Sequence, residues 1–191
     1  MREAFAAGQL DFGENYVQEA LAKIAELADV RDQLRWHLIG PLQSNKAREV
    51  AANFDWVHAV DRMKLAQRLS DLRPPKMAPL QVCLQVNISG EDSKSGVAPE
   101  AALALARAVA ALPGLKLRGL MAIPEPAGDL AAQRVPHQAL RKLFEAMNAE
   151  GLGLDTLSIG MSADLEAAIA EGATWVRVGT AIFGSRPGKT A

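Results

Sequence analysis

Short apolar runs alternate with segments of helical spacing from one end of this chain to the other, and that alternation constrains the fold more than any other feature. Residues 10–15, 35–40, 56–60, 80–88, 115–123, 156–160 and 175–178 read as strands. Between them, residues 16–28 place Val17, Ala20, Leu21, Ile24 and Leu27 on one helical stripe. Further helices are expected over 44–54, over 61–72 with Asp61 as cap, and over 99–112 with Pro99 at the first turn. Two more cover 130–150, with a kink at Pro136, and 163–170, with Ser162 as cap and Gly172 as stop. Strands apolar on both faces, each followed by a helix, predict a parallel sheet covered by helices. Connections are short throughout, so residues 1–191 form one domain.

Seven strands are counted, and residues 1–7 read as the end of a helix with Gly8 at its C-cap. The count suits a (β/α)8 TIM barrel that lacks its first strand and part of its first helix, leaving two unpaired strand edges. A doubly wound open sheet is the competing arrangement. The barrel is favoured because no glycine-rich dinucleotide fingerprint occurs. Polar residues also gather at the ends of many strands, where barrel loops build sites.

Bulk properties narrow the function. Formal net charge is −1 with no long block of one sign, which gives no footprint for nucleic acid or anionic lipid. No stretch is long and apolar enough to span a bilayer, and the N-terminus has no signal-peptide pattern. Cys83 is the lone cysteine and lies in an apolar run, so an internal disulfide is impossible and a reducing, cytoplasmic setting is expected. The chain is expected to be a monomer.

Candidate site residues concentrate in the last two units. Arg177 interrupts an apolar strand and, by alternation with Val176 and Val178, points into the barrel. It needs acceptors there, from a ligand or from an internal carboxylate. Gly179 and Thr180 follow at once and offer open backbone N–H groups and a hydroxyl. Ser158 and Ser162 bracket the preceding strand end, so these loops make a plausible phosphate clamp in a barrel. Asp164 and Glu166 compete with an anion there, and Ser162 also has the simpler reading of a helix cap. Asn15 ends the first strand, as a mouth residue or an N-cap. His37 reads as a core histidine, while Asn45 and Lys46 read as surface residues. No Cys/His cluster has metal-ligand spacing, and neither a nucleophile elbow nor a carboxylate pair stands out as a catalytic set.

The motifs then resemble a known family. Phe12-Gly13-Glu14-Asn15-Tyr16, Trp36-His37-Leu38-Ile39-Gly40-Pro41-Leu42-Gln43-Ser44-Asn45-Lys46, Ser93-Lys94-Ser95-Gly96, Gly119-Leu120-Met121-Ala122-Ile123-Pro124, Ser158-Ile159-Gly160-Met161-Ser162 and Arg177-Val178-Gly179-Thr180 are similar to those of the pyridoxal phosphate homeostasis proteins. These share the barrel of the alanine racemase N-terminal domain, and the match runs along the whole chain. The resemblance implies a barrel that binds pyridoxal 5′-phosphate (PLP). Arg177 would face the pyridine nitrogen, while Ser158 or Ser162, with Gly179 and Thr180, would hold the phosphate. It further implies a carrier that buffers the cofactor in vitamin B6 homeostasis and supplies it to PLP-dependent apoenzymes, without catalysis. An arginine at the ring nitrogen weakens the cofactor as an electron sink. The family's Schiff-base lysine belongs at the end of the first strand, and no lysine here matches it, which implies a truncated start and noncovalent binding. Lys46 and Lys94 match the family elsewhere. A PLP-dependent racemase or lyase and a degenerate, non-binding module are the alternatives.

Overall fold

A computed structural model describes residues 1–90 and 95–184. Ser93, Lys94 and the terminal residues 185–191 lie outside the described residues. Seven strands form one sheet: β1 (Asp11–Glu14), β2 (Arg35–Leu38), β3 (Trp56–Val60), β4 (Leu80–Gln85), β5 (Leu115–Met121), β6 (Thr156–Met161) and β7 (Trp175–Arg177). Each pairs in parallel with the next, in the order β1 to β7. Parallel neighbours in sequence order require a helical crossover between each pair. The crossovers are α2 (Val17–Glu26), α3 (Ala47–Asn53), α4 (Met63–Leu72), α5 (Pro99–Ala110), α6 (Leu130–Ala149) and α7 (Leu165–Ala170), with α1 (Arg2–Ala6) before β1 and α8 (Thr180–Phe183) after β7.

The sheet curls into a nearly closed barrel, and side chains inside it demonstrate the curvature. The Ser158 hydroxyl on β6 lies 2.7 Å from a ring nitrogen of His58 on β3, three strands away. The Trp175 ring on β7 packs 4.9 Å from His37 on β2 and 5.8 Å from Trp56 on β3. No hydrogen bonding between β1 and β7 occurs among the described residues. The expected seven-strand barrel is therefore the observed fold.

Strand alternation sorts the residues into two layers. Trp36, Leu38, Val57, Leu80, Val82, Leu84 and Leu120 join the helices in the main apolar core. His37, between Trp36 and Leu38, faces the barrel interior instead, where it stacks on Trp56. A second, smaller cluster of Trp56, Ala59, Cys83 and Met121 packs apart from the main core. Sequence predicts strands covered on both faces, and not all of them are. β3 is buried at every residue, whereas β1 and β7 alternate with partly or fully exposed positions, because they stand at the two ends of the strand order.

Two local expectations are corrected. Asp61 does not cap α4: Arg62 holds the N-cap position, and the Asp61 carboxylate accepts from the Arg62 guanidinium at 2.5 Å. Ser162 does not cap α7, because a turn intervenes and Asp164 takes that position, two residues further on. Helix α6 continues on both sides of Pro136, its seventh residue, which has no N–H to give to the carbonyl four residues back.

Candidate functional site

The site residues lie where β6 and β7 end. β7 stops at Arg177, and its guanidinium turns across the barrel to backbone oxygens. Nη1 donates to the Ser158 carbonyl at 2.6 Å and to the Ser158 hydroxyl at 2.9 Å, and Nη2 donates to the Ala122 carbonyl at 2.9 Å. Ala122 lies just past the end of β5, so its carbonyl has left the strand ladder and is open to a donor. No carboxylate pairs with Arg177 among the described residues, so the internal salt bridge that its sequence context allowed is absent. Burial pushes the guanidinium down to about 10, only partly offset by the charge of Asp164. A guanidinium has five N–H donors. Three are committed, and two remain for an acceptor that enters the barrel.

Ser158 is fully buried at the third position of β6, and its hydroxyl is already engaged by Arg177 and His58. It stands behind the guanidinium rather than at the barrel rim. The rim is formed by the next turn. Gly160 adopts φ +89, a region that glycine occupies without strain, and an added Cβ would meet the Ala168 Cβ at 2.5 Å. This turns the chain outward, leaving Ser162 exposed. The Thr180 hydroxyl lies 3.3 Å from the Ser162 hydroxyl, so the loops after β6 and β7 meet there. Gly179 is exposed, and a Cβ built on it meets nothing within 4 Å. Its backbone is open to a ligand.

The loop after β6 is itself held in place. Asp164 accepts from the Met161 N–H at 2.7 Å, and its other oxygen faces Nε2 of the buried His137 on α6 at 2.9 Å. The Asp164 charge is thus spent on the loop, which reduces its competition with an anion at Ser162. Asn15 lies at the far side of the strand order, exposed after β1, and the N-cap of α2 is Tyr16. Its backbone abuts Gly40, where any Cβ would meet the Asn15 carbonyl at 2.2 Å. Arg177, Ser158, Ser162, Gly179 and Thr180 are therefore brought together, while Asn15 stands after β1, at the other end of the strand order.

Sequence reading missed the polar line beneath this cluster. His37 Nε2 lies 3.0 Å from the Asp11 carboxylate, and His37 Nδ1 lies 2.9 Å from His58 Nε2. His58 Nδ1 then reaches Ser158, and Ser158 meets Arg177. Asp11 is also held by the Arg35 guanidinium through two bonds of 2.6 Å. Burial raises the pKa of Asp11, but the His37 and Arg35 hydrogen bonds outweigh it and hold the carboxyl at about 2. Burial, the largest cause, and the charge of Arg177 drive His58 well below the ordinary imidazole range. The available signal was that His37 and His58 lie on neighbouring apolar strands, with His37 opposite Trp56 and His58 two residues further on, on the same face. Lys23 and Lys46 are tied outside this line, to Glu14 at 2.6 Å and Glu49 at 3.3 Å. No group of three metal-ligating side chains occurs among the described residues, and none of their helices is long and apolar enough to cross a membrane.

Comparison with known proteins adds a second kind of finding. The family described as "Alanine racemase, N-terminal domain" matches residues 1–187. A pyridoxal phosphate homeostasis protein of Pseudomonas aeruginosa is 65% identical over 186 residues, which cover 97% of this chain and 79% of that protein. PipY of Synechococcus elongatus, solved with PLP bound, is 42% identical with a TM-score of 0.86 over 96% of this chain and 85% of that one. An alanine racemase of Clostridium difficile is 14% identical with a TM-score of 0.71, covering 94% of this chain and 46% of that one, a likeness of fold alone.

Proposed function

Because this chain belongs to the alanine racemase N-terminal domain family, and within it to the pyridoxal phosphate homeostasis proteins, we propose that it binds PLP as a carrier rather than as a catalyst. The observation that carries the reading is the half-committed guanidinium of Arg177 next to the open Gly179–Thr180 backbone. A cationic donor with two uncommitted N–H groups suits the acceptor nitrogen of a pyridine ring. A phosphate on the same ligand suits the exposed hydroxyls of Ser162 and Thr180 and the N–H groups after Gly179. The donor set therefore fits the cofactor. We assign Ser158 to the support of Arg177 and the phosphate to Ser162, Gly179 and Thr180. Asn15 is left to the rim on the β1 side.

When bound, PLP supplies an aldehyde and a conjugated ring that acts as an electron sink. Arg177 is a permanent donor, so it takes an unprotonated ring nitrogen, and that choice weakens the sink. The loops after β6 and β7 offer the phosphate hydroxyl and backbone N–H donors. These residues bind and orient; no general acid or base in the described part of the site is assigned a proton-transfer step. Release to PLP-dependent apoenzymes in the cytoplasm, from a monomeric carrier, completes the proposed role.

Equilibrium dialysis of the chain against PLP and against pyridoxal tests the reading. Saturable retention of PLP at one equivalent, with pyridoxal retained far more weakly, is expected. No retention of PLP would overturn it. Turnover of amino acids in the same preparation would instead favour a racemase or lyase.

A further inference from the structure

The buried line from Asp11 to Arg177 has an internal logic, because both of its ends are fixed. Arg177 has no acceptor atom, so it donates to the Ser158 hydroxyl. Asp11 is held ionised by Arg35, so it accepts from His37. Between these ends only one assignment leaves no buried proton without an acceptor. The Ser158 hydroxyl donates to His58 Nδ1, its single remaining partner among the described residues. His58 is then a neutral imidazole with its proton on Nε2, which it donates to His37 Nδ1. His37 keeps its proton on Nε2 and donates it to Asp11. The reverse polarity would strand the Ser158 hydroxyl proton, at the cost of a buried unsatisfied donor.

We propose that His58 and His37 are positioning residues for the cofactor ring: running from the Asp11 anchor, they fix the Ser158 hydroxyl as an acceptor for Arg177 and so hold the guanidinium with its two free N–H donors available to the ring. The proposal rests on the PLP reading for its ligand, but the line itself exists without the ligand. Its residues come from five strands. Asp11, His37, His58, Ser158 and Arg177 lie on β1, β2, β3, β6 and β7, so the line also ties the two ends of the strand order to one another across the interior. With the Ser158 hydroxyl free to rotate, one of the three bonds that hold the guanidinium has no fixed acceptor. His58 is 2% exposed and, among the described residues, hydrogen-bonds to none of Ser162, Gly179 and Thr180, so an effect of its removal on the ring passes through Ser158 and Arg177.

Two measurements test this together. In the ligand-free protein, nitrogen-15 NMR should show His58 neutral with the proton on Nε2, and Arg177 Nη signals sharpened by hindered rotation. In His58→Leu those Arg177 signals should collapse to the averaged, freely rotating form, whereas His58→Gln, whose amide can still accept from Ser158 and donate to His37, should retain them. PLP affinity should fall roughly tenfold to a hundredfold in His58→Leu, as expected when a hydrogen bond to a charged group is misdirected, and recover in His58→Gln. Affinity for benzyl phosphate, which has no ring nitrogen, should be the same in all three proteins. A His58 proton on Nδ1 in the wild-type protein, or an unchanged Arg177 spectrum in a folded His58→Leu, overturns the positioning role. Equal loss of PLP and benzyl phosphate would mark a merely structural effect and also overturn it. If the wild-type protein binds no PLP, the functional reading fails, and the Arg177 spectra alone still decide whether His58 positions the guanidinium.

Discussion

Replacing Asp11 by Asn removes the fixed end of the buried line without changing its size. The carboxyl is largely buried, with 16% side-chain exposure, and is held at about 2 against an ordinary value of 3.8. Its pKa is lower in the folded than in the unfolded chain, so the ionised form favours folding. That stability is fully present above pH 3.8 and is lost as pH falls through about 2. At about 1.4 kcal/mol for each tenfold change in acidity, the drop is worth about 2 kcal/mol at neutral pH. Urea unfolding of the wild-type protein and Asp11→Asn, repeated between pH 2 and pH 7, isolates this contribution, because the other carboxylates cancel in the difference. We expect the variant to be less stable by about 2 kcal/mol near neutrality and the gap to narrow as pH falls from about 4 to 2. A gap that stays constant over that range, or none at pH 7, would refute the claim that an ionised Asp11 anchors the line.

Gly160→Ala combines a left-handed backbone with a 2.5 Å approach to the Ala168 Cβ, so calorimetry should show a loss of about 2–4 kcal/mol. Gly179→Ala is the opposite case. Its added methyl meets nothing in the protein, so melting should be unchanged, while dialysis should show weaker PLP retention, because the methyl occupies space assigned to the phosphate. Cys83 is fully buried, and burial pushes its thiol well above the ordinary range, so a thiol-reactive reagent at pH 8 should modify it only as fast as the chain unfolds. Rapid modification of the native protein would place Cys83 elsewhere.

The fold was legible because each strand of the barrel carries its own local signal. Apolar runs such as Trp56–Val60 and helices such as Pro99–Ala110 follow from composition, spacing and an opening proline. Element ends were less so, since they depend on tertiary partners. β5 stops at Met121 where the next carbonyl turns to Arg177, and Ser162 is left outside α7 by a turn that Asp164 fastens to His137. The clustering of Arg177 with Gly179 and Thr180 was visible because the three are close in sequence. His37 and His58 were not legible as a pair with Ser158, which is 100 residues beyond His58. Only closure of the sheet brings those three side chains into line, and no local pattern encodes that contact.

The account rests on Arg177 as the ring donor and on the two last loops as the phosphate site. A crystal of the chain soaked with PLP tests both at once. The account predicts a ligand whose phosphate lies among Ser162, Gly179 and Thr180 and whose ring nitrogen is within hydrogen-bond distance of the Arg177 guanidinium. A phosphate bound elsewhere, or a ring nitrogen turned away from Arg177, would contradict it.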